Sequence, residues 1–195
     1  MSKKCYRFFG GLLNTQEKWL NKMSEKGYRL VRTGKLLYEF EKCKPDEVTY
    51  CVEFVGEKSK ENSIAYANFL EDMGYKVFFK NINRNYSVGK VRWRPWAERD
   101  GRIATNATTF NREILIVEKA NDGKPFELHT SYDDKEKYYR NLRNPWLFLL
   151  LMFALFAVTK QSIIFGIFAL VSVIPGSIYQ IQIMKIRKEA KTQEW

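Results

Sequence analysis

The sequence contains very little of the chemistry on which most active sites depend. It has one histidine, His129, which argues against histidine-activated nucleophiles and histidine-rich metal sites. It has no GxxxxGKS or GxxxxGKT phosphate-binding loop and no GxGxxG turn after a predicted strand. We therefore expect a protein that is not an enzyme, with no catalytic residues, no metal site and no cofactor.

Cysteine is also scarce. Cys5, Cys43 and Cys51 make an odd number with no CxxC pair, which indicates neither a disulfide framework nor a zinc site. Cys43 and Cys51 fall on predicted neighbouring strands and could meet. In a reducing cytosol the pattern favours small, buried, free thiols instead.

Long apolar runs are absent from the first 144 residues and present after them. The N-terminal stretch has an interrupted apolar run and is not typical of a signal peptide. No charged residue occurs in 145–158 or in 162–184. A membrane-crossing helix needs about 20 apolar residues, which the second run supplies and the first reaches only if Leu142 and Arg143 enter the interface. The sequence predicts a two-helix membrane hairpin over 145–184, with a buried core hairpin and a re-entrant hairpin as the alternatives.

Basic residues surround this hairpin unevenly. The connecting turn carries only Lys160, whereas four basic residues lie on each outer flank: Lys135, Lys137, Arg140, Arg143, Lys185, Arg187, Lys188 and Lys191. Because positively charged flanks stay in the cytosol, we expect a two-pass protein of the cell membrane with cytosolic N- and C-termini. Asn144 and Pro145 resemble the N-cap and first residue of a helix, and Pro175 predicts a kink.

The polar part contains an internal duplication. WLNKMSEKGYRLV at 19–31 and FLEDMGYKVFF at 69–79 each place a glycine helix stop before a tyrosine that opens a strand. Hydrophobic periodicity predicts two copies of a strand-helix-strand-strand unit. Its predicted elements are strand 4–9, helix 14–26, strands 28–33, 36–42 and 48–55, helix 60–73, and strands 75–80 and 112–119. The predicted fold class is α+β, a two-layer antiparallel sheet with helices from a duplicated βαββ unit, followed by a transmembrane helical hairpin.

Boundaries and local signals follow from this pattern. We predict a cytosolic α+β domain over 1–130, a juxtamembrane helix over 131–144 and a basic cytosolic tail over 185–195. Asn14 and Glu17 have the spacing of a capping box at the start of the first helix. Strand alternation places three glutamates at exposed positions: Glu39, Glu41 and Glu53.

Most of the net charge of +8 on residues 1–144 comes from one stretch, residues 81–111 together with the flanking Lys80 and Arg112. We call residues 81–111 the basic segment. From Lys80 to Arg112 inclusive there are 8 basic and 2 acidic residues. Interleaved guanidinium and indole groups can pair with phosphates, stack on bases or sit at a lipid interface. The predicted binding residues are Arg84, Arg92, Trp93, Arg94, Trp96, Arg99 and Arg102.

The nearby membrane favours an anionic lipid surface, a membrane-protein partner or a homo-oligomer as the partner of the basic segment. Nucleic acid or a transcriptional regulator is the alternative, and a solvated hairpin with no ligand explains the composition equally well. An enzyme acting on a membrane-embedded substrate is the third function class. The sparse catalytic inventory disfavours that class.

Four stretches together resemble a known family: EKWLNKMSEKGYRLV, YEFEKCKPDEVTYCVEF, FLEDMGYKV and FELHTSYDDKEKYYRNLRNPW. They are similar to the family catalogued as domain of unknown function 2812, over nearly the whole chain except the basic segment. The resemblance implies a bacterial protein with a soluble N-terminal domain and C-terminal transmembrane helices, often encoded beside PadR-like regulators. It also implies a stress- or envelope-related accessory role. From the resemblance together with the sparse catalytic inventory, we expect a non-enzymatic, membrane-anchored sensor or accessory protein. The resemblance implies no active site.

Overall fold

The computed structural model describes residues 2–55, 60–80, 86–88, 91–93, 103–104, 114–124, 126, 128 and 132–193. The chain forms two compact units that divide near Thr130, an α+β unit and a helical unit. Within the described ranges, the elements of the α+β unit are β1 Lys3–Tyr6, α1 Leu13–Glu25, β2 Tyr28–Thr33, β3 Leu37–Lys42, β4 Val48–Phe54, α2 Lys60–Asp72, β5 Lys76–Lys80, β6 Tyr86–Val88, β7 Val91–Trp93, β8 Ile103–Ala104 and β9 Ile114–Ala120.

The two halves of the α+β unit have the same topology. One antiparallel sheet has the order β1-β3-β2 and the other has the order β4-β9-β5, so the last strand of each repeat lies between the other two. A third small sheet, β6-β7-β8, comes between β5 and β9 in the chain. The predicted α+β fold, built from antiparallel sheets and a duplicated βαββ unit, is confirmed, and the structure adds the strand order.

The two helices end in the same way. Gly27 has φ +73° and Gly74 has φ +86°, the left-handed conformation in which glycine avoids a side-chain penalty. The Gly27 N–H donates to Ser24 O at 2.8 Å and the Gly74 N–H donates to Glu71 O at 2.8 Å. The repeated glycine-tyrosine pair therefore marks two equivalent helix-to-strand turns, as the sequence predicts.

Helix α1 covers the free edge of β4 with polar side chains. Asn21 donates to Tyr50 O at 3.0 Å and accepts from the Tyr50 N–H at 2.7 Å. One turn earlier Glu17 accepts from the Val52 N–H, and at the next position on this face Ser24 donates to Val48 O. These bonds satisfy backbone groups that an edge strand otherwise leaves open for pairing with another chain.

The same bonds correct the predicted capping box. Helix α1 begins at Leu13, its N-cap is Leu12, and no side chain makes a cap hydrogen bond there. Asn14 lies inside the helix, and the Glu17 carboxylate reaches β4. A tertiary hydrogen bond has replaced the local one that the spacing suggested.

Apolar side chains fill both faces of the second sheet. Val55, Leu70, Leu115 and Val117 form one buried cluster. The prediction that Glu53 is exposed is wrong, because β4 is covered on both faces and Glu53 is 4 % exposed. The Tyr66 hydroxyl donates to its carboxylate at 2.8 Å and supplies a partner for the buried charge.

An aromatic cluster forms the core beside the first sheet. Trp19 meets the rings of Phe9, Tyr38 and Phe40 at centroid distances of 5.4, 4.9 and 5.5 Å. The Trp19 contacts with Tyr38 and Phe40 are edge-to-face, an arrangement that aromatic quadrupoles favour. None of the three cysteines forms a disulfide bond in the described structure, and Cys51 is buried whereas Cys5 and Cys43 are half-buried.

The helical unit consists of α3 Tyr132–Thr159 and α4 Ile163–Gln193. They run antiparallel, since the rings of Tyr139 and Tyr179 lie 6.4 Å apart and those of Phe153 and Phe168 lie 5.4 Å apart. The predicted juxtamembrane helix and the first membrane segment form one continuous helix. Pro145 is therefore not its first residue but lies inside α3, where it removes one backbone donor without ending the helix.

The apolar faces of both helices are exposed. The most apolar windows of α3 and α4 are only 6 % and 22 % buried, and both helices are long and apolar enough to cross a membrane. Seventeen exposed large apolar side chains lie on them, against six in the described part of the α+β unit. This exposure disagrees with a buried core hairpin, because such a hairpin would be covered by the rest of the protein.

Candidate functional site

The structure describes only part of the predicted basic surface. Arg92 and Trp93 belong to β7, where the Arg92 backbone lies opposite Ser87 and Ala104. The other five predicted binding residues lie outside the described residues: Arg84, Arg94, Trp96, Arg99 and Arg102. The basic segment as a binding surface therefore stays a prediction.

A groove in the helical unit is a concave site formed by described residues. It lies between α3 and α4 and has a volume of about 510 Å³, within the range of small-molecule sites. Its walls are mainly apolar, from Leu147, Leu150, Val173, Ile181 and Met184. Arg143 and Gln180 form its polar end, and Ser172, Gly176 and Ser177 provide small side chains.

Small residues on α4 create this space. The Cβ of any side chain at Gly176 would lie 3.8 Å from Trp146 Cβ, an ordinary contact distance, so the glycine leaves room without being required sterically. The Ser172 hydroxyl donates to the carbonyl of Phe168 at 2.9 Å within α4. Its hydrogen is therefore directed back to the helix, and this part of the groove offers few polar contacts.

Arg143 supplies the positive charge at the polar end. One terminal nitrogen donates to Gln180 Oε1 at 2.6 Å and the other donates to Asn144 Oδ1 at 2.9 Å. Its Nε is buried and has no hydrogen-bond partner in the described structure. A guanidinium carries five N–H donors, so Arg143 keeps donors for a further acceptor.

The neighbouring arginines are paired differently. Glu136 accepts from Arg187 at 2.8 and 3.1 Å and also forms an ion pair with Arg140 one turn along α3. Within the described part of the helical unit, no carboxylate pairs with Arg143. The polar end of the groove is therefore a net positive site with neutral amide partners.

Glu118 and Lys80 are two of the buried polar residues of the α+β unit. The Glu118 carboxylate accepts from the Tyr50 hydroxyl at 2.9 Å and from Arg29 at 2.7 Å. Burial raises the pKa of Tyr50, and the hydrogen bond to Glu118 raises the pKa of Arg29. This network joins β2, β4 and β9 and stabilises the fold.

Lys80 is buried without a carboxylate partner among the described residues. Its amine donates to the carbonyls of Gly34 and Lys35 at 2.8 and 3.1 Å and lies 4.2 Å from the Tyr38 ring centroid. Burial lowers its pKa to about 8. The Tyr38 hydroxyl is buried and has no hydrogen-bond partner in the described ranges.

Residues 13–151 match the model of the family described as "Protein of unknown function (DUF2812)". The chain belongs to this family. No curated protein and no solved structure matches it. The DUF2812 match confirms the family resemblance that the sequence predicts.

The matched part of the DUF2812 protein includes Arg143, Leu147 and Leu150 on α3, whereas α4 lies beyond it. The sequence predicts Arg143 only as a residue of the membrane interface, and it does not predict the groove. The sequence does contain one signal of the groove, since the spacing of Arg143, Leu147 and Leu150 places them on one face of α3. The α4 wall could not be paired with that face without the register of the two helices.

Proposed function

We propose that this DUF2812 protein is a non-enzymatic sensor or accessory protein that α3 and α4 anchor in the cell membrane. The observation that carries the proposal is the exposed apolar surface along both helices. In water such a surface would drive aggregation, whereas in a bilayer it contacts hydrocarbon at no cost. The anchor would keep the α+β unit at the membrane surface, where its partner is a membrane protein or anionic lipid.

The length of α3 fits a full crossing better than a re-entrant hairpin. The twenty residues from Arg140 to Thr159 rise about 30 Å, close to the hydrocarbon thickness of a typical bilayer. Lys160 lies in the turn between the helices and carries its only charge. The greater basic charge at the other ends favours cytosolic N- and C-termini.

A cysteine-accessibility experiment tests the anchor and its orientation. Single cysteines are placed at Lys160 and at Lys185 in a full-length background whose three native cysteines are serine. An impermeant thiol reagent added to intact cells should label position 160 and spare position 185 until the cells are opened. Labelling of both positions only in opened cells would contradict the crossing. Release of the wild-type protein from membranes by alkaline carbonate would contradict membrane insertion itself.

The basic segment requires a separate test, because it supplies the proposed partner contact. Changing Arg92, Arg94 and Arg99 to glutamate reverses three charges in the full chain. We expect weaker flotation with vesicles that contain anionic lipid and weaker recovery of a membrane partner. If the variant loses only nucleic-acid binding in a gel-shift assay, the alternative tethered module replaces the proposal. If the variant behaves like wild type in vesicle flotation, partner recovery and gel shift, the basic segment contributes to neither function.

A further inference from the structure

We propose that the groove between α3 and α4 binds one anionic phospholipid. The lipid phosphate accepts hydrogen bonds from Arg143, and an acyl chain lies against the apolar wall formed by Leu147, Leu150 and Val173. The inference rests on the membrane insertion proposed above, and it names a ligand for a site that the anchor alone does not require.

The depth of Arg143 favours a phosphate partner. Counting from Lys160, Arg143 lies about 5 Å inside the level at which a bilayer of about 30 Å ends. Side chains on a helix point toward its N-terminus, which for α3 is the cytosolic end. The guanidinium therefore extends from the hydrocarbon toward the headgroups of the cytosolic leaflet, where lipid phosphates lie.

The unpaired donors of Arg143 need an acceptor at this depth. Gln180 and Asn144 occupy one donor on each terminal nitrogen, and the buried Nε has none among the described residues. Water is scarce in the hydrocarbon region, so an unsatisfied N–H there costs free energy. A phosphate presents two oxygens that can accept parallel bonds from the remaining N–H groups of the two terminal nitrogens, whereas a single carbonyl or water presents one oxygen.

The groove has the extent of one lipid leaflet. From Met184 to Ser172, α4 rises about 18 Å, close to half of a bilayer's hydrocarbon thickness. Arg143 bonds Gln180, one turn before Met184, so the guanidinium lies in the headgroup half of the groove. The apolar wall of Leu147, Leu150 and Val173 continues from there toward the bilayer centre. A phospholipid bound in the groove would therefore place its phosphate at Arg143 and its acyl chain against the apolar wall.

Charge distinguishes an anionic lipid from a zwitterionic one. Glu136, the acidic residue near this end, is already paired with Arg140 and Arg187. The described groove lining contains a cation and no carboxylate, so it offers nothing to the positive amine of a zwitterionic headgroup. A headgroup whose net charge is negative is therefore favoured.

Native mass spectrometry of the full chain in detergent micelles tests the inference. Phosphatidylglycerol and phosphatidylcholine are titrated in parallel, and inorganic phosphate serves as a third ligand. We expect one phosphatidylglycerol per chain, at an affinity at least tenfold higher than that of phosphatidylcholine. Phosphate at the same concentration should not displace it, because most of the contact is with the acyl chain.

Two variants probe the two ends of the lipid. Arg143→Gln removes the charge at the polar end of the groove, and its matched control Lys185→Gln removes an exposed charge on α4 five residues beyond Gln180. Gly176→Leu fills the groove. Its matched control is Gly166→Leu, since a Cβ at Gly166 meets no atom within 4 Å. We expect each groove variant to weaken phosphatidylglycerol binding about tenfold or more and each control to leave it unchanged, at equal helix content by circular dichroism.

Several outcomes would overturn the inference. Equal binding of the two lipids, or equal loss in a groove variant and its control, would indicate nonspecific adsorption. Displacement by inorganic phosphate together with full binding by Gly176→Leu would indicate a phosphate site without a lipid chain. Dimers that exclude lipid and dissociate on Gly176→Leu substitution would assign the groove to a second copy of the chain. If carbonate-resistant protein shows any of these results, the anchor stands and only the lipid site fails.

Discussion

Replacing Lys80 with methionine should change the pH dependence of stability in the α+β unit. Lys80 is 4 % exposed, and burial lowers its pKa from 10.5 to about 8. Between those two values the unfolded chain binds a proton that the folded chain does not bind. The free energy of unfolding therefore increases with pH through this window, and the increase is absent in Lys80→Met.

The magnitude follows from the two pKa values. A difference of one pKa unit corresponds to about 1.4 kcal/mol. With a folded pKa of about 8 and an unfolded pKa of 10.5, the contribution of Lys80 increases by about 2 kcal/mol between pH 7 and pH 9.5. Tyrosines with raised pKa values, such as Tyr38, titrate above this range, so they do not contribute to the pH dependence between pH 7 and pH 9.5.

Urea titration of the full chain in detergent micelles measures this contribution, with tryptophan fluorescence as the readout. The quantity compared is the difference in unfolding free energy between wild type and Lys80→Met at each pH, which cancels all other titrating groups. Lys76→Met is the matched control, because Lys76 lies exposed on the same strand. Parallel pH profiles for wild type and Lys80→Met would show that the amine titrates as if exposed and would refute the reasoning.

Three further predictions concern backbone and charge in the α+β unit, each checked by the same urea titration. Gly27→Ala should destabilise the chain by about 3 kcal/mol, whereas Gly74→Ala should cost about 1 kcal/mol. Both glycines have positive φ, but only at Gly27 would a Cβ meet a backbone oxygen, at 2.9 Å. Asn21→Ala should cost about 2 kcal/mol by leaving two β4 backbone groups unpaired, and exposed Lys22→Ala should be near neutral. Arg29→Met should cost about 2–3 kcal/mol because its carboxylate partner is 2 % exposed, and equal stability would show that Tyr50 satisfies that charge alone.

Features that depend on nearest neighbours along the chain could be predicted. Gly27 and Gly74 end helices because their backbone conformation is local, and the repeated motif around them revealed the duplication. The charge-free runs likewise predicted two apolar helices, since length and composition alone decide whether a segment can cross a bilayer. These signals needed no knowledge of which elements pack together.

Features that depend on tertiary partners could not be predicted. Glu53 alternates with apolar residues, a pattern that predicts an exposed side chain. Strand β4 is covered on both faces, so the two-residue period does not separate buried from exposed positions there. Glu17 had the spacing of a cap, yet the edge of β4 competes for its carboxylate. Pro145 follows a good capping residue, but α3 has already begun at Tyr132 and a proline alone does not end it.

The candidate groove depends on tertiary packing more than any of these features. Arg143 was visible in the sequence as an interfacial charge, whereas the cavity beside it exists only because Gly176 and Ser172 of α4 face Leu147 and Leu150 of α3. That pairing depends on the length of the turn around Lys160, which sets the register of the two helices. One residue more or less in the turn would rotate α4 by about 100° and bring different side chains to the groove.

The register of β5 and β9 shows that the basic segment occupies the position of a hairpin loop. Lys80 lies directly opposite Ile114, so β5 and β9 pair as the two strands of a β-hairpin do. Residues 81–113 connect these two strands along the chain. In the first repeat, Thr33 faces Tyr38 across a four-residue connection. Closing 33 residues instead of four costs about 2 kcal/mol of chain entropy. The α+β unit thus accommodates 33 residues at a position where a four-residue turn would suffice.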